Sequence, residues 1–355
     1  MCKKICIIIT SFYPPQRLFE GGLFCYGQIG IPEFNNHRYN TGMFELIFLG
    51  TSASAPSVQR GLSAHIVLYR EHRFLIDCGE GTQRQILHSG LGFKRLNKVL
   101  LTHGHLDHIL GLGGFVSTLS RWENMDRVDI YGGRSTLRRV ADLLFRVVFP
   151  NGRSPIQIEL TNIEPGVILS DDKFTLSAFS VQHRGPDCFG FVFEEKEHRP
   201  FLAEKAAELG VPFGPERARL VRGEAVTLAD GRIIQPGDVL GEALPGTKYV
   251  HVGDVGRVDE LLPVCQNAHT LVIEATYLEE DAEMARQFGH MTAAQAARLA
   301  KEANVDTLIL THLSRRYNGR MLRKEAQAIF PNTFVARDFD HFQITRNGAE
   351  KIKKE

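Results

Sequence analysis

The sequence predicts an α/β fold in which short strands alternate with helices from about residue 43 onward. Three observations support this prediction. Apolar segments of strand length recur between segments whose apolar residues have helical spacing. The chain has 355 residues, 43% of them hydrophobic, which is enough to bury a large core. Several apolar segments end in a histidine or an acidic residue, which is typical of a functional site built at strand ends.

The predicted strands are apolar runs bounded by turn residues, at 43–50, 65–69, 73–77, 98–102, 128–132, 173–183, 248–254, 270–276 and 307–312. Helical spacing predicts helices at 81–90, 135–149 and 291–305. Gly90 is the expected end of the first helix, and Thr292 is the expected N-terminal cap of the third. We find no internal repeat and no low-complexity segment.

Composition excludes several classes of protein. The net charge of +1 gives no sign of a general nucleic-acid-binding surface, so an RNA partner would need a local site. No apolar run approaches the roughly 20 residues that a membrane-spanning helix needs. The cysteines show no paired spacing, so we expect free thiols in a reducing compartment and a cytoplasmic protein. They are Cys2, Cys6, Cys25, Cys78, Cys188 and Cys265.

Residues 1–42 differ from the remainder of the chain. Glycine, proline and asparagine are scattered through them without a sustained hydrophobic period. The opening apolar run resembles a signal peptide only weakly, because it breaks at Thr10 and no convincing cleavage site follows. We expect residues 1–42 to be a poorly ordered appendage and residues 43–355 to form the folded domain.

The segment HGHLDH, which follows the predicted strand 98–102, is the strongest chemical signal in the sequence. A polar loop with chance histidines is the simpler interpretation, and an isolated histidine such as His65 is more often a core residue than a ligand. Here, however, His103 and His105 alternate in an extended loop and can face one ion, while Asp107 and His108 can face a second. Imidazole and carboxylate ligands suit zinc. Further ligands are then expected at other strand ends.

This loop and three later residues resemble the hallmark of the metallo-β-lactamase superfamily. The superfamily has a His-x-His-x-Asp-His loop, then a distant histidine, a bridging aspartate and a late histidine. The resemblance implies a four-layer αβ/βα sandwich, with two sheets packed face to face and helices outside. It also implies two zinc ions: one held by His103, His105 and His183, the other by Asp107, His108 and His312, with Asp254 bridging the two.

Seven motifs narrow the resemblance to the ribonuclease Z family. In order, they are FLGTSASAP, DCGEGTQRQ, THGHLDHILGL, VGD, IEATY, GHMTAAQAA and THLSRRY, and they span about residues 43–344. The resemblance implies an endoribonuclease that removes 3′ trailers from precursor tRNA and acts as a homodimer. The tRNA would keep a 3′-hydroxyl and the trailer a 5′-phosphate. The last motif departs from the family's pattern because Arg315 replaces a small residue, while Ser314 and Arg316 match and are implied substrate contacts.

The same resemblance implies the catalytic residues. Asp107 would accept a proton from the attacking water, which two metal ions activate at neutral pH. His290 would protonate the leaving ribose oxygen, and Glu274 would orient His290 and raise its pKa. The alternative for His290 is a histidine without a role at a helix N-terminus. Asp77 either caps the helix that follows it or orients a metal-binding histidine.

The segment from about 195 to 245 contains none of the implied ligands and resembles the tRNA-binding arm of the family. Its glycine and proline content suits a protruding element, with a hairpin turn at Asp230–Gly231. Arg217, Arg219 and Arg222 are candidate phosphate contacts. The segment is not basic overall, since seven Lys/Arg face nine Asp/Glu. An ordinary surface insertion is the alternative.

Other functions on the same fold stay open at this point. One is a small-molecule phosphodiesterase or a thiolester hydrolase, which would use the same metal ligands. Another is a non-catalytic carrier that binds a small molecule. The implied general acid and the arm argue against the first alternative, and the complete set of ligands argues against the second.

Overall fold

The computed structural model describes residues 43–122 and 125–352. The predicted appendage at residues 1–42 lies outside the described residues. Among the described residues, no helix combines the length and the apolar character needed to cross a membrane. Cys78, Cys188 and Cys265 are buried free thiols, as predicted.

The strands in the described part of the chain are β1 (Glu45–Gly50), β2 (Ala64–Tyr69), β3 (His72–Ile76), β4 (Lys98–Leu100), β5 (Arg127–Gly132), β6 (Gln157–Asn162), β7 (Gly166–Ser170), β8 (Phe174–Ser180), β9 (Phe189–Glu195), β10 (Val226–Thr227), β11 (Ile233–Ile234), β12 (Lys248–His251), β13 (Thr270–Glu274), β14 (Thr307–Thr311), β15 (Thr333–Val335), β16 (His341–Thr345) and β17 (Gly348–Lys351).

The helices in the described part are α1 (Thr82–Ser89), α2 (Leu106–Ile109), α3 (Leu112–Trp122), α4 (Arg134–Asp142), α5 (Ala203–Glu208), α6 (Pro215–Val221), α7 (Pro236–Val239), α8 (Leu262–Cys265), α9 (Ala282–Phe288), α10 (Ala293–Glu302) and α11 (Gly319–Gln327). A π-helical segment covers Leu143–Val148, and short 3₁₀ segments cover Pro150–Gly152 and Glu279–Asp281.

Two mixed sheets form the centre of the fold. The first has the order β17-β16-β1-β2-β3-β4-β5-β6, and the second has the order β15-β14-β13-β12-β9-β8-β7. In each sheet one half is parallel, from β3 to β6 and from β12 to β15. The parallel halves carry the crossover helices, since parallel neighbours cannot be joined by a tight turn.

The four predicted layers are confirmed by three hydrophobic clusters. Phe44 and Phe74 of the first sheet meet Phe174 and Phe193 of the second in the central cluster. A second cluster packs α1, α3 and α4 on the outer face of the first sheet, and a third packs α10 and α11 on the outer face of the second. The strands are apolar on both faces because each sheet lies between two layers. Burial of each large side chain contributes about 1.5–3 kcal/mol.

Local signals placed several element ends correctly. Gly90 adopts φ 77° and ends α1, and Thr292 caps α10 in a capping box with Gln295. The predicted helix 135–149 is wrong in its second half, since the α-helix ends at Asp142 and a π-helical segment follows. The amide of Phe149 donates to the carbonyl of Leu144 at 2.7 Å, which is the five-residue spacing of a π-turn.

The segment predicted as an arm lies between β9 and β12. Its ends pair as an antiparallel stalk, with His198 opposite Leu244 and Phe201 opposite Leu240. Beyond the stalk, α5, α6, α7 and the β10–β11 hairpin pack around their own small core, made of Ala206, Val211, Leu220, Val226, Ile234 and Val239. The predicted turn is present, with Gly231 at φ 86°.

Candidate metal centre and active site

The predicted site residues follow successive strands and meet at one edge of the sandwich. His103 and His105 follow β4, His183 follows β8, Asp254 follows β12, and His312 follows β14. Asp107 and His108 lie on α2, directly after the first two histidines, and Glu274 is the last residue of β13. The structure brings all seven predicted ligands together in adjoining groups. His65 lies outside these groups, against Phe48 and His251 in the interior.

Three histidines surround one oxygen of Asp254. Its Oδ2 lies 3.7 Å from Nε2 of His103 and 3.8 Å from Nε2 of His183. Nδ1 of His105 lies 2.9 Å and 3.3 Å from the same two nitrogens. Tetrahedral ligands about 2.0 Å from a zinc ion lie about 3.3 Å from one another. The spacing of these four atoms therefore suits one metal ion.

The other oxygen of Asp254 faces the second group. Its Oδ1 lies 3.5 Å from Nε2 of His108 and 3.3 Å from Nε2 of His312. Oδ2 of Asp107 lies 3.7 Å and 3.4 Å from those nitrogens. Asp254 thus turns one carboxylate oxygen toward each group, which is the geometry of a bridging ligand.

The side chains present fit a metal centre. Nε2 of His108 is buried and has no hydrogen-bond partner, a cost that a bound cation would remove. Burial lowers the pKa of His103, His105 and His183, which favours the neutral form that a metal ligand needs. Burial also opposes protonation of His108, yet Asp254 and Asp77 raise its pKa well above the usual value. The carboxylates of Asp254 and Asp77 therefore favour a positive charge at the second group.

Asp77 orients the histidine loop. Its Oδ2 lies 2.7 Å from Nδ1 of His108, and its Oδ1 accepts a hydrogen bond from the backbone amide of Thr102. It does not cap α1, whose N-cap is Gly81 without a side-chain bond. The hydroxyl of Thr102 donates to Asp77 and lies 3.0 Å from Nδ1 of His103. These bonds turn Nε2 of both histidines toward the cluster.

Thr102, Thr276 and the carbonyl of Gly289 also belong to the site and were not predicted from the sequence. The hydroxyl of Thr276 lies 3.0 Å from Nδ1 of His312, and the carbonyl of Gly289 accepts from Nδ1 of His183 at 2.7 Å. Both hydrogen bonds direct the Nε2 atom of the histidine toward the two groups of predicted metal ligands, which we call the metal groups. His312 also has a left-handed φ of 53°, which a non-glycine residue keeps only where its surroundings impose it. The available signal was that Thr102 directly precedes His103 and that Thr276 lies two residues after Glu274, within the motif IEATY.

His290 and Glu274 form a buried pair beside Asp254. Nδ1 of His290 lies 2.9 Å from Oε1 of Glu274 and 4.0 Å from Oδ2 of Asp254. Glu274 is fully buried and also accepts from the amide of Val255 at 2.7 Å. Burial lowers the pKa of His290, but the charge and hydrogen bond of Glu274 outweigh it and raise that pKa to about 9. The imidazolium form is therefore the favoured one at neutral pH.

A cavity of about 440 Å³ gives access to this pair and to the metal groups. It is lined by His105, Asp107, Asp254 and His290, and also by Ser314 and Arg316, the predicted substrate contacts. The backbone amide of Ser54 donates to Oδ2 of Asp107 at 2.9 Å. This bond comes from the first motif of the sequence and orients the Asp107 carboxylate at the cavity wall.

The three predicted arm contacts lie far along the chain from these ligands, on or at the end of α6. Arg217 packs over the ring of Phe213, 3.7 Å from its centroid, and donates to the carbonyl of Val211. Arg219 and Arg222 both pair with Glu224, at 3.1 Å and 3.0 Å. These two exposed pairs are worth little in stability, so a phosphate can compete for the guanidinium groups.

Comparison with known proteins agrees with this geometry. The profile of the beta-lactamase superfamily domain matches residues 72–236 and 212–313. A protein of Bradyrhizobium diazoefficiens named Ribonuclease Z is 47% identical over 302 residues, which cover 85% of this chain and 100% of that one. The Ribonuclease Z of Bacillus subtilis is 38% identical over 309 residues, covering 85% and 99%. The structure of human tRNase Z, short form, has the same fold, with a TM-score of 0.58, 24% identity and coverage of 85% and 99%.

Fold and site together define a hydrolase of the metallo-β-lactamase superfamily, with a histidine and aspartate cluster able to bind metal. Within that superfamily, the chain belongs to the ribonuclease Z family. It is therefore an endoribonuclease.

Proposed function

We propose that this enzyme removes 3′ trailers from precursor tRNA, using two zinc ions per subunit. The cut leaves a 3′-hydroxyl on the tRNA and a 5′-phosphate on the trailer. The observation that carries the proposal is Asp254, whose two oxygens face two separate histidine groups while His290 and Glu274 stand beside it. A carrier that only binds a small molecule has no use for a buried acid pair at the cavity.

His103, His105 and His183 would hold one metal ion, Asp107, His108 and His312 would help hold the other, and Asp254 would bridge them. When bound, two such ions supply a nucleophile at neutral pH and neutralise charge on the phosphate. The residues Asp77, Thr102 and Thr276 keep the histidine rings in place, so that the site is formed before the substrate arrives.

The chain's own side chains would move the protons. Asp107 reaches the cavity as an ionised carboxylate, because His312 and His108 lower its pKa against the effect of burial. It is the acceptor for the proton of the attacking water. His290 donates a proton to the leaving 3′ oxygen, and Glu274 holds its Nδ1–H so that Nε2 is left for the substrate.

The substrate would be held at two places. Ser314 and Arg316 line the cavity and are placed to meet the phosphate at the cut. Arg217, Arg219 and Arg222 of the arm would meet phosphates of the tRNA body. We also propose a homodimer in the cytoplasm with no membrane partner, on the support of family membership and of the free cysteines in the described residues.

Cleavage of a precursor tRNA, measured beside hydrolysis of a thiolester, tests the proposed function. We expect the full enzyme with zinc to cut the precursor once, at the 3′ end of the tRNA, and to leave the thiolester intact. Asp254→Asn should abolish cleavage and reduce bound zinc below about two ions per chain, because both groups lose their shared ligand. His88→Gln, at an exposed position on α1 outside the cluster, is the control. Preferred hydrolysis of the thiolester would contradict the proposal.

Residues 1–42 are proposed to be dispensable, and a chain that begins at Met43 tests this. Its melting temperature should stay within about 2 °C of the full chain, with an equal cleavage rate. The support is that 302 residues of this chain cover a whole relative. A chain that begins at Thr51 is the control, since it loses β1, whose six residues are all buried. A drop of more than about 4 °C on removing residues 1–42 would show that they pack on the domain.

A further inference from the structure

A second cavity, of about 830 Å³, adjoins the one at the metal groups and is lined by arginines. Arg315 and Arg316 line both cavities, so the two cavities share these residues as a wall. Arg320 and Arg323 come from α11, and Arg337 follows β15. We call the surface formed by these five arginines the arginine groove.

The positive charge of the arginine groove is not neutralised by the protein. None of its five guanidinium groups pairs with a carboxylate within residues 43–122 and 125–352. Asp340 is the acidic residue in the cavity wall, and its carboxylate is taken by Lys351 at 2.6 Å.

The groove has the features of a surface that binds single-stranded nucleic acid. Arginine is suited to phosphate because its planar group offers several donors in a fixed arrangement. Tyr317 and Phe334 also line the cavity, each partly buried against a hydrophobic cluster. A cationic groove with interleaved aromatic rings binds single strands through phosphate contacts and base stacking. A small acidic or apolar ligand would leave most of the five charges without a partner.

We propose that the arginine groove binds backbone phosphates of the single-stranded 3′ trailer as it leaves the metal cavity. This rests on the proposed function. On the tRNA side of the cut the substrate is mostly duplex, and its body is expected at the arm. The trailer is a single strand, and it must leave the cavity over an adjoining wall. The wall formed by Arg315 and Arg316 is shared by the metal cavity and the groove, which makes the groove the site we assign to the trailer.

The double variant Arg320→Gln/Arg323→Gln tests the proposal without changing a residue of the metal cavity. We expect kcat/KM to fall about 5- to 10-fold for a precursor whose trailer has about 12 nucleotides, with no change for a one-nucleotide trailer. The slope of log(kcat/KM) against log[salt] for the long trailer should fall by about 1.4, for two lost phosphate contacts on a single strand. Lys301→Gln/Lys324→Gln is the control, because it removes two exposed charges from α10 and α11 outside the groove.

Binding of a single-stranded RNA oligonucleotide, followed by fluorescence anisotropy, gives a second measurement. The arginine variant should bind it more weakly than the full enzyme and the lysine variant, with unchanged melting temperatures. An equal loss for both trailer lengths would overturn the proposal and place the tRNA body in the groove. No loss with either substrate would exclude the groove as an RNA site. If the full enzyme cut neither precursor, the proposed function would fail, and oligonucleotide binding would still decide the role of the groove.

Discussion

Replacing His290 by alanine should slow cleavage of precursor tRNA about 10²- to 10⁴-fold, the usual contribution of a general acid. The leaving ribose oxygen is a poor leaving group without a proton, and His290 is the cavity residue whose protonated form is stabilised by a buried carboxylate. Hydrolysis of a nitrophenyl phosphodiester should stay within a few-fold of the full enzyme, because nitrophenolate leaves without protonation. Single-turnover rates on both substrates measure the difference.

Zinc content separates this role from metal binding. His290 lies near Asp254 and His312, in a group that could itself hold an ion. The variant should nevertheless keep its full zinc content, because Nδ1 of His290 is engaged by Glu274 at 2.9 Å. Loss of zinc, or an equal loss of rate on both substrates, would show that His290 is a ligand rather than an acid.

The dependence of the cleavage rate on pH tests the role of Glu274 as the partner of His290. Its negative charge raises the pKa of His290, so the protonated acid persists to higher pH. Glu274→Gln removes that charge and lowers the pKa, and the acid form is then lost at a lower pH. The alkaline fall in rate on precursor tRNA should therefore move to lower pH, while the nitrophenyl ester should show no such shift.

Removing the arm should weaken binding of precursor tRNA and lower its kcat/KM about 10²-fold or more, because remote contacts position a large substrate. Hydrolysis of the nitrophenyl ester should be unchanged, since so small a substrate does not reach the arm. The structure shows where to cut. Leu202 and Val239 are joined by a backbone hydrogen bond of 2.8 Å, so residues 203–238 can be replaced by a short Gly/Ser bridge with the stalk intact.

Arg219→Gln/Arg222→Gln is the matched change within an intact arm. It removes two exposed charges whose carboxylate partner among the described residues is Glu224, so we expect weaker tRNA binding and a nearly unchanged melting temperature. The affinity for precursor tRNA distinguishes the arm deletion from His290→Ala. The deletion should weaken tRNA binding, whereas His290→Ala should leave it unchanged. Cleavage of precursor tRNA at the full rate without the arm would contradict the exosite and favour a general phosphodiesterase.

Local sequence signals determined much of the fold. Alternation of apolar runs with helical spacing predicted the strands that carry the site, because strands and helices differ in the period of their buried positions. Thr292 and Gly90 marked helix ends. The side chain of Thr292 accepts a hydrogen bond from a free amide of the first turn, and Gly90 readily adopts the left-handed conformation that ends a helix. The π-helical segment after Asp142 was not predictable, because its apolar residues Leu143, Leu144 and Phe145 suit an α-helix equally well.

The sequence by itself also predicted the candidate metal ligands: the close spacing of His103, His105, Asp107 and His108 needs no tertiary information, and the family resemblance implied the others. Only the tertiary structure decided how they act. The two oxygens of Asp254 face different groups, and the residues of those groups follow strands of both sheets, among them β4 of the first and β14 of the second. The role of Asp77, the buried partner of His290 and the arginine groove likewise depend on residues far apart in the chain. Contacts of that kind arise from packing, and no local period records them.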